Sequence, residues 1–182
     1  GTGNTSWVFW MAATTGWPLY IESVAMSSEP ADLWGERALS HGATVWQPSG
    51  LARALATPGP KIINLSELNR VPDDTVTNSL FAALDQVGKV YIKSLGSWVE
   101  VKAPALIVCD MNVGEHYSGT RRNDWALMSR FPYVLEFDFL QPEQEAALLS
   151  KRVVSTAGLR LHAATARWLV GLAQEIRTQC RE

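Results

Sequence analysis

Two short apolar runs, each followed by polar residues, limit the folds open to this chain more than any other feature. Lys61–Leu65 and Pro104–Cys109 consist mainly of aliphatic and β-branched residues. Such runs are typical of strands in a parallel sheet whose two faces are covered by helices. Between them, Asp73–Gln86 has apolar residues at helical spacing. Strands that alternate with helices in this way predict an α/β protein with a parallel sheet.

The rest of the pattern extends this prediction along the chain. Further helices are predicted over Thr5–Thr15, Ser49–Ala56, Asn123–Ser129, Pro142–Val153 and His162–Arg177. Further strands are predicted at Leu19–Val24 and Tyr133–Phe139, with a β-hairpin from Lys89–Leu95 and Trp98–Lys102 and a small hairpin arm at Ala43–Gln47. Ser27–Ser40 is expected to be irregular, with one helical turn near Ala31–Trp34. We therefore expect an α/β core over residues 1–140 and a small helical unit over residues 141–182.

Composition narrows the classes of function. Hydrophobic residues make up 47% of the chain, charged residues 19%, and the formal net charge is −2. This balance allows a sizeable core and gives no electrostatic reason to expect nucleic acid or an anionic membrane as a partner. The two cysteines, Cys109 and Cys180, indicate neither a disulfide framework nor a metal knuckle. A reducing, cytoplasmic setting is expected.

A glycine-containing segment stands directly before the first predicted helix. Gly1, Thr2, Gly3, Asn4 and Thr5 follow the second half of the phosphate-binding pattern G-x-x-x-x-G-K-[ST], except that Asn4 stands where lysine is expected. In such loops backbone N–H groups surround phosphates and the Ser/Thr hydroxyl holds Mg²⁺. Taken alone, these residues are better explained as a flexible terminus that leads into a helix.

Polar residues also follow the apolar strands. Ser66 and Glu67 come after Lys61–Leu65, and Asn112 comes shortly after Cys109. Ligands of open α/β sheets bind at the carboxyl ends of strands, so these side chains are candidates for a binding site. An alternative is that they are merely solvated strand ends. Arg130, in Ser129–Pro132, precedes a predicted strand, and taken alone it would be an ordinary surface arginine.

The order of these pieces resembles that of AAA+ ATPases over nearly the whole chain. The resemblance is greatest to the MoxR-type branch, which has an insert in its second helix. The segments that carry it are Asp32–Gly35, Val45–Gln47, Gly50–Leu55, Glu67–Arg70, and the stretch from Met111–Gly114 through Tyr117–Thr120 to Leu127–Phe131. The resemblance implies a P-loop NTPase core with a partial helical lid, binding ATP and Mg²⁺, in a ring (a hexamer in the family) that acts on a protein client.

The resemblance also implies a role for each candidate residue. Thr5 would be the Mg²⁺-side hydroxyl of the Walker A loop, and Glu67 the Walker B carboxylate that polarises the attacking water. Asn112 would be the sensor-1 residue that places this water, and Arg130 an arginine finger that reaches a neighbouring subunit. The hairpin at Lys89–Lys102 and the arm at Ala43–Gln47 would face the client.

The chain departs from the family pattern at several points. Asn4 replaces the Walker A lysine, which removes the charge that clamps the phosphates. Ser66 replaces the Walker B aspartate, which removes a carboxylate on the Mg²⁺ side. The sequence starts after the position of the family's first core strand, so we expect a core that lacks it. Arg177 is a candidate for the sensor-2 arginine of the lid, although a solvated arginine at a helix end is the expectation we favour.

Three functions remain open from the sequence. The first is an ATP-driven remodelling or chaperone-like ATPase of the MoxR type, supported by Glu67, Asn112 and Arg130. The second is a ring subunit that does not hydrolyse ATP and has a structural or regulatory role, supported by Asn4 and Ser66. The third is a degenerate fragment that neither binds nor hydrolyses ATP.

Overall fold

The computed structural model describes residues 4–27, 29–71, 74–85, 88–93, 95–112, 125–155 and 158–179. It divides into two units, one formed by Asn4–Leu135 and the other by the described residues from Glu136 onward. The division falls shortly before the predicted boundary at residue 140, in a stretch without helix or strand.

A three-stranded parallel sheet organises the first unit. Its strands are β1 (Leu19–Ser23), β4 (Lys61–Ser66) and β7 (Ala105–Cys109), in the spatial order β1-β4-β7. The register pairs Leu19 with Ile62 and Ile62 with Leu106. All residues from Lys61 to Leu65 are buried, as expected for a central strand of a covered parallel sheet. The predicted parallel α/β core is therefore confirmed, and its three strands end at the same edge.

The described residues of this unit form five α-helices: α1 (Asn4–Thr15), α2 (Pro30–Trp34), α3 (Gly50–Ala56), α4 (Asp74–Leu84) and α5 (Trp125–Met128). The start of α3 illustrates why they begin where they do. The Ser49 hydroxyl oxygen accepts a hydrogen bond from the Ala52 N–H at 3.1 Å, which satisfies one of the unpaired donors of the first turn. Leu51 and Leu55 then lie on the buried face of the helix, next to Ile63 and Leu65 in the main apolar core.

The described part of this unit also contains two antiparallel hairpins. Strand β2 (Gly35–Ser40) pairs with β3 (Ala43–Pro48), and β5 (Lys89–Ile92) pairs with β6 (Ser97–Glu100). The second hairpin was predicted. The first corrects the expectation that Ser27–Ser40 is irregular, because β2 gains a complete ladder by pairing with the predicted arm. The polar residues of Gly35–Ser40 did not predict a strand, because its pairing partner, β3, lies beyond a turn.

The predicted strand at Tyr133–Phe139 is not formed. Residues 131–141 have no helix or strand, and the Tyr133 side chain is 90% exposed. A strand needs a neighbour to bond its backbone, and alternating apolar residues do not supply one. Within the described ranges the sheet ends at β7, so no strand pairs with this segment.

The second unit contains α6 (Pro142–Arg152) and α7 (Ala163–Gln179), which pack through a small core of Ala146, Ala166 and Val170. Arg177 donates two parallel hydrogen bonds to the Glu145 carboxylate, at 2.8 and 2.7 Å. Its guanidinium also lies 3.9 Å from the centre of the Phe139 ring. The expectation of a solvated Arg177 was therefore wrong, because the planar guanidinium finds a carboxylate and an aromatic face in its own unit.

Candidate functional site

The carboxyl ends of β4 and β7 are bound to each other through backbone and side-chain hydrogen bonds. The Asp110 N–H donates to the Leu65 carbonyl at 3.1 Å, and the Leu68 N–H donates to the Asp110 carbonyl at 3.2 Å. The chain after β4 turns at once into a 3-10 helical turn, Leu68–Arg70. Through these bonds the segment carrying Ser66 and Glu67 lies beside the segment that leads to Asn112.

The Asp110 carboxylate joins these segments more firmly. One oxygen accepts the Glu67 backbone N–H at 3.2 Å, and the other accepts the Asn64 side-chain amide at 2.9 Å. Asn64 is completely buried. A carboxylate that accepts a fixed amide on each oxygen has a defined orientation, so Asp110 is a rigid part of this edge.

In a further bond the side chain comes from the segment after β4 and the backbone group from the segment after β7. The Asn69 side-chain amide donates to the backbone carbonyl of Asn112 at 2.7 Å. Asn69 is buried, and its side-chain oxygen has no protein partner within the described part of the chain. Each strand end therefore holds the backbone of the other, Asp110 that of Glu67 and Asn69 that of Asn112. We call Asn64, Asn69 and Asp110 the strand-end clasp.

The Glu67 side chain leaves this clasp toward partly exposed surroundings. Its carboxylate lies 3.2 Å from the Arg70 guanidinium, and about a third of each side chain is exposed. An ion pair at this exposure contributes only ~0–1 kcal/mol, so the contact is readily exchanged for another partner. Ser66 ends β4 and is paired in register with Ser23 at the end of β1.

The predicted phosphate loop is described only in part. Gly1, Thr2 and Gly3 lie outside the described residues. Asn4 begins α1, and its side-chain oxygen accepts the Thr5 backbone N–H at 2.9 Å. Where lysine would offer a cation, Asn4 thus engages one of the free N–H donors of the helix start. No hydrogen bond within the described residues links Asn4 or Thr5 to Glu67 or Asn112.

Arg130 follows the short helix α5 and is held by contacts within the first unit. Its Nε donates to the Asp85 carboxylate at 2.7 Å, and a terminal nitrogen donates to the Ala126 carbonyl. The guanidinium carbon lies 4.4 Å from the centre of the Phe81 ring. Arg130 is thus not the freely exposed arginine that its sequence neighbourhood suggested, because three contacts fix its side chain at the end of α4.

Cys109 precedes the clasp and has no chemical role in it. Burial, together with the negative charge of Asp110, raises the pKa of the Cys109 thiol to about 12. The thiol is therefore neutral at physiological pH and acts as an apolar packing group.

Sequence reasoning did not single out the strand-end clasp. Two signals could have found it: an asparagine in the middle of an otherwise apolar strand, and an acidic residue directly after the next strand. A buried polar side chain requires a partner, and Asp110 is the partner of Asn64.

Neither of two small cavities among the described residues is lined by Thr5, Glu67 or Asn112. One, of about 260 Å³, lies between β1 and the start of α3 and includes Glu22, whose pKa is raised by burial. The other, of about 190 Å³, lies beside Arg177 in the second unit. Both are smaller than typical ligand pockets, which measure ~300–1,000 Å³. None of the described helices has the length and apolar character needed to cross a membrane.

The arrangement of strands and helices is that of P-loop AAA+ proteins. The P216G mutant of RuvB from Thermotoga maritima superimposes with a TM-score of 0.61 at 16% identity, covering 92% of this chain and 45% of that one. A putative ATPase from Cytophaga hutchinsonii superimposes with a TM-score of 0.55 at 17% identity, covering 85% of this chain and 45% of that one. At these identities the likeness shows the fold alone.

The family follows from sequence comparison. Residues 1–131 match the model of the AAA domain, dynein-related subfamily, and the chain belongs to this family. It is 32% identical over 177 residues to the "Putative chaperone BssE" of Thauera aromatica, covering 97% of this chain and 59% of the relative. It is 30% identical over 151 residues to "Protein NorQ" of Paracoccus denitrificans, covering 83% of this chain and 54% of the relative. These matches confirm the MoxR-type AAA+ family predicted from the sequence, and the chain spans little more than half of either relative.

Proposed function

We propose that this chain is the nucleotide-binding core of a chaperone-like AAA+ ATPase of the MoxR type, acting on a protein client. The observation that carries the proposal is the strand-end clasp, which holds the backbones of Glu67 and Asn112 side by side at the carboxyl edge of the sheet. Ligands of open α/β sheets bind at this edge. Membership of the AAA family and a relative named as a chaperone support the same function.

The available groups fit a magnesium nucleotide, although the phosphate side lacks a cation. The start of α1 offers backbone N–H groups and the Thr5 hydroxyl, and the strand ends offer Ser66, Glu67 and Asn112. Among the described residues no group of three or more His, Cys, Asp or Glu side chains could hold a metal by itself. Mg²⁺ would therefore be held jointly by Thr5, Ser66 and nucleotide phosphates, and bound ATP would supply the phosphoanhydride to be hydrolysed.

In this proposal each remaining residue has one task. Glu67 exchanges its exposed Arg70 partner for the attacking water, which it orients and polarises. Asn112 fixes the position of the same water with its amide. Arg130 acts on the site of the neighbouring subunit in an oligomeric ring, and its contacts with Asp85 and Phe81 hold the guanidinium in a fixed direction.

A second candidate function is that of a ring subunit that does not hydrolyse ATP. Asn4 supports it, because its side chain accepts the Thr5 N–H where the family has a phosphate-clamping lysine. Ser66 supports it as well, because a neutral hydroxyl replaces a carboxylate on the Mg²⁺ side. Such a subunit would still lend Arg130 to an active neighbour.

ATP binding and turnover by the full chain distinguish the two candidates. Wild type, Asn4→Lys/Ser66→Asp and the matched control Asn4→Gln/Ser66→Asn are compared with a fluorescent ATP analogue, with and without Mg²⁺, and by phosphate release. The first candidate requires Mg²⁺-dependent turnover by wild type that Glu67→Gln abolishes. If only the Lys/Asp variant binds and hydrolyses ATP, this chain is the inactive subunit. If no variant binds nucleotide, both proposals fail.

Ring formation is tested separately by light scattering after size-exclusion chromatography, with and without Mg²⁺-ATP. We expect a nucleotide-dependent increase in mass, and Arg130→Ala should leave ATP affinity of the isolated subunit unchanged while lowering turnover in the assembled ring. A mass that stays monomeric in every condition would contradict the role assigned to Arg130.

A further inference from the structure

Glu67 has an unusual backbone conformation. Its φ is 58° and its ψ is 39°, which is the left-handed helical region. Among the described non-glycine residues only His41 shares a positive φ, and His41 lies in the turn between β2 and β3. Residues other than glycine adopt this conformation at a cost, so neighbouring groups must stabilise it.

The group that stabilises it is the Asp110 carboxylate. Asp110 directly follows β7, the next strand of the sheet. Its carboxylate accepts the Glu67 N–H at 3.2 Å, and its backbone carbonyl accepts the following N–H, that of Leu68, at 3.2 Å. The N–H groups of Glu67 and Leu68 are therefore both bonded to the same residue, Asp110. In an extended conformation Glu67 would not present both donors in this direction.

The Asn64 side chain fixes the orientation of the Asp110 carboxylate. Its amide donates to the second Asp110 oxygen at 2.9 Å from a completely buried position on β4. Its side-chain oxygen has no protein donor within the described residues, so this buried amide carries one unsatisfied acceptor. An apolar residue would fill this place in the core at lower cost unless the bond to Asp110 were needed.

We propose that Asp110 is a positioning residue that holds Glu67 in the left-handed conformation and thereby sets the direction in which the Glu67 carboxylate leaves β4. The importance of this direction for hydrolysis rests on the function proposed above, but the positioning itself does not. Asp110 touches the backbone of Glu67, so it acts on the reaction only through that residue.

The test measures the Glu67 backbone amide directly, in the full chain, by amide hydrogen exchange followed by NMR. Asp110→Ala should accelerate exchange of the Glu67 N–H by about tenfold or more relative to wild type, because a hydrogen bond to an ionised acceptor is lost. Asp110→Asn retains one acceptor oxygen and should restore most of the protection. The amides of Ile63 and Leu65, within β4, serve as internal references and should change much less.

A double-mutant cycle separates positioning from general stabilisation. Glycine adopts a positive φ without strain and keeps the backbone N–H that Asp110 accepts. When Asp110 is lost, Glu67 can leave the strained conformation and recover part of the lost free energy, whereas a glycine at position 67 has no strain to relieve. Asp110→Ala should therefore shift the urea midpoint more in the Glu67→Gly background than it does in wild type. Asn69→Ala is the matched control, because its bond to the Asn112 carbonyl does not depend on residue 67 and its effect should be equal in both backgrounds. Equal effects of Asp110→Ala in both backgrounds, or an unchanged Glu67 exchange rate, would overturn the proposal.

The nucleotide assays above report on a different question. A chain that fails to bind ATP but shows the predicted exchange and coupling would refute the proposed function and keep the positioning role. A chain that hydrolyses ATP with no coupling between positions 67 and 110 would do the reverse.

Discussion

Replacing Lys61 with methionine should destabilise the first unit strongly, although lysine is ordinarily a surface residue. Lys61 begins the central strand β4 and is only 1% exposed. Its ammonium group donates to the carbonyl oxygens of Thr57 at 2.7 Å, Gly59 at 3.2 Å and Lys102 at 2.5 Å. Burial lowers the pKa of the Lys61 amine, because the charged form is less well solvated inside the protein than in water.

The size of the effect follows from these contacts. Methionine preserves the length and apolar stem of the side chain, so little packing is lost. Three carbonyl oxygens lose a charged donor, and each such hydrogen bond contributes ~1.5–3 kcal/mol. The variant no longer bears the cost of burying an ammonium group, which offsets part of this loss. We expect the free energy of unfolding to fall by about 2–4 kcal/mol.

Urea unfolding followed by tryptophan fluorescence measures this change. Seven of the eight tryptophans lie before residue 136, so the signal reports mainly on the first unit. With a urea dependence of ~1–3 kcal/mol per molar, the midpoint should fall by about 1–2 M.

Lys102→Met is the matched control, because the Lys102 side chain is 46% exposed and pairs with Glu100 at the surface. It should change the unfolding free energy by less than ~1 kcal/mol, and it leaves the carbonyl that accepts the Lys61 bond in place. If Lys61→Met is no more destabilising than Lys102→Met, the three carbonyl contacts do not stabilise the fold as argued here.

Three further outcomes can be checked. Gly35→Ala should destabilise by ~3 kcal/mol or more in urea, since a Cβ there would lie 2.3 Å from a backbone oxygen, whereas Gly42→Ala, with open space, should cost only ~1–2 kcal/mol. The hydrogen bond from Arg177 lowers the pKa of Glu145. The stability that this bond provides is therefore present above the ordinary glutamate pKa of ~4.3 and is lost as the pH falls below that pKa. Glu145→Gln should flatten this acid dependence, as measured by the helical circular dichroism signal. With its pKa raised to about 12, Cys109 should be alkylated at pH 8 only after unfolding, as peptide mass spectrometry would show; rapid native alkylation would contradict its burial.

The elements that the sequence predicted well are those whose signal is local. The helix at α3 begins at a capping serine, and β4 and β7 are apolar runs of strand length, so neighbouring residues suffice to define them. The strand at Tyr133–Phe139 was predicted by the same kind of local signal and is absent from the structure. Alternating apolar and polar residues indicate that a segment could form a strand with one apolar face, but they do not provide the neighbouring strand with which it must pair. For β2 the error was reversed, since pairing with β3 made a strand from a polar segment.

The candidate site divides in the same way. The positions of Glu67 and Asn112 at strand ends could be predicted, because parallel strands bring their carboxyl ends to one edge. The residues that connect these ends, Asn64, Asn69 and Asp110, could not, because each is defined by a partner more than forty positions away.

By itself the amino-acid sequence determined the α/β class, the AAA+ family and the residues that follow β4 and β7, because these depend on composition and spacing along the chain. Only the tertiary structure decided that Glu67 turns through a left-handed conformation beside Asp110, that Lys61 is buried, and that Arg130 and Arg177 are engaged within their own units. The physical reason is that buried polar and charged groups are stabilised by specific partners, and folding brings those partners from distant parts of the chain.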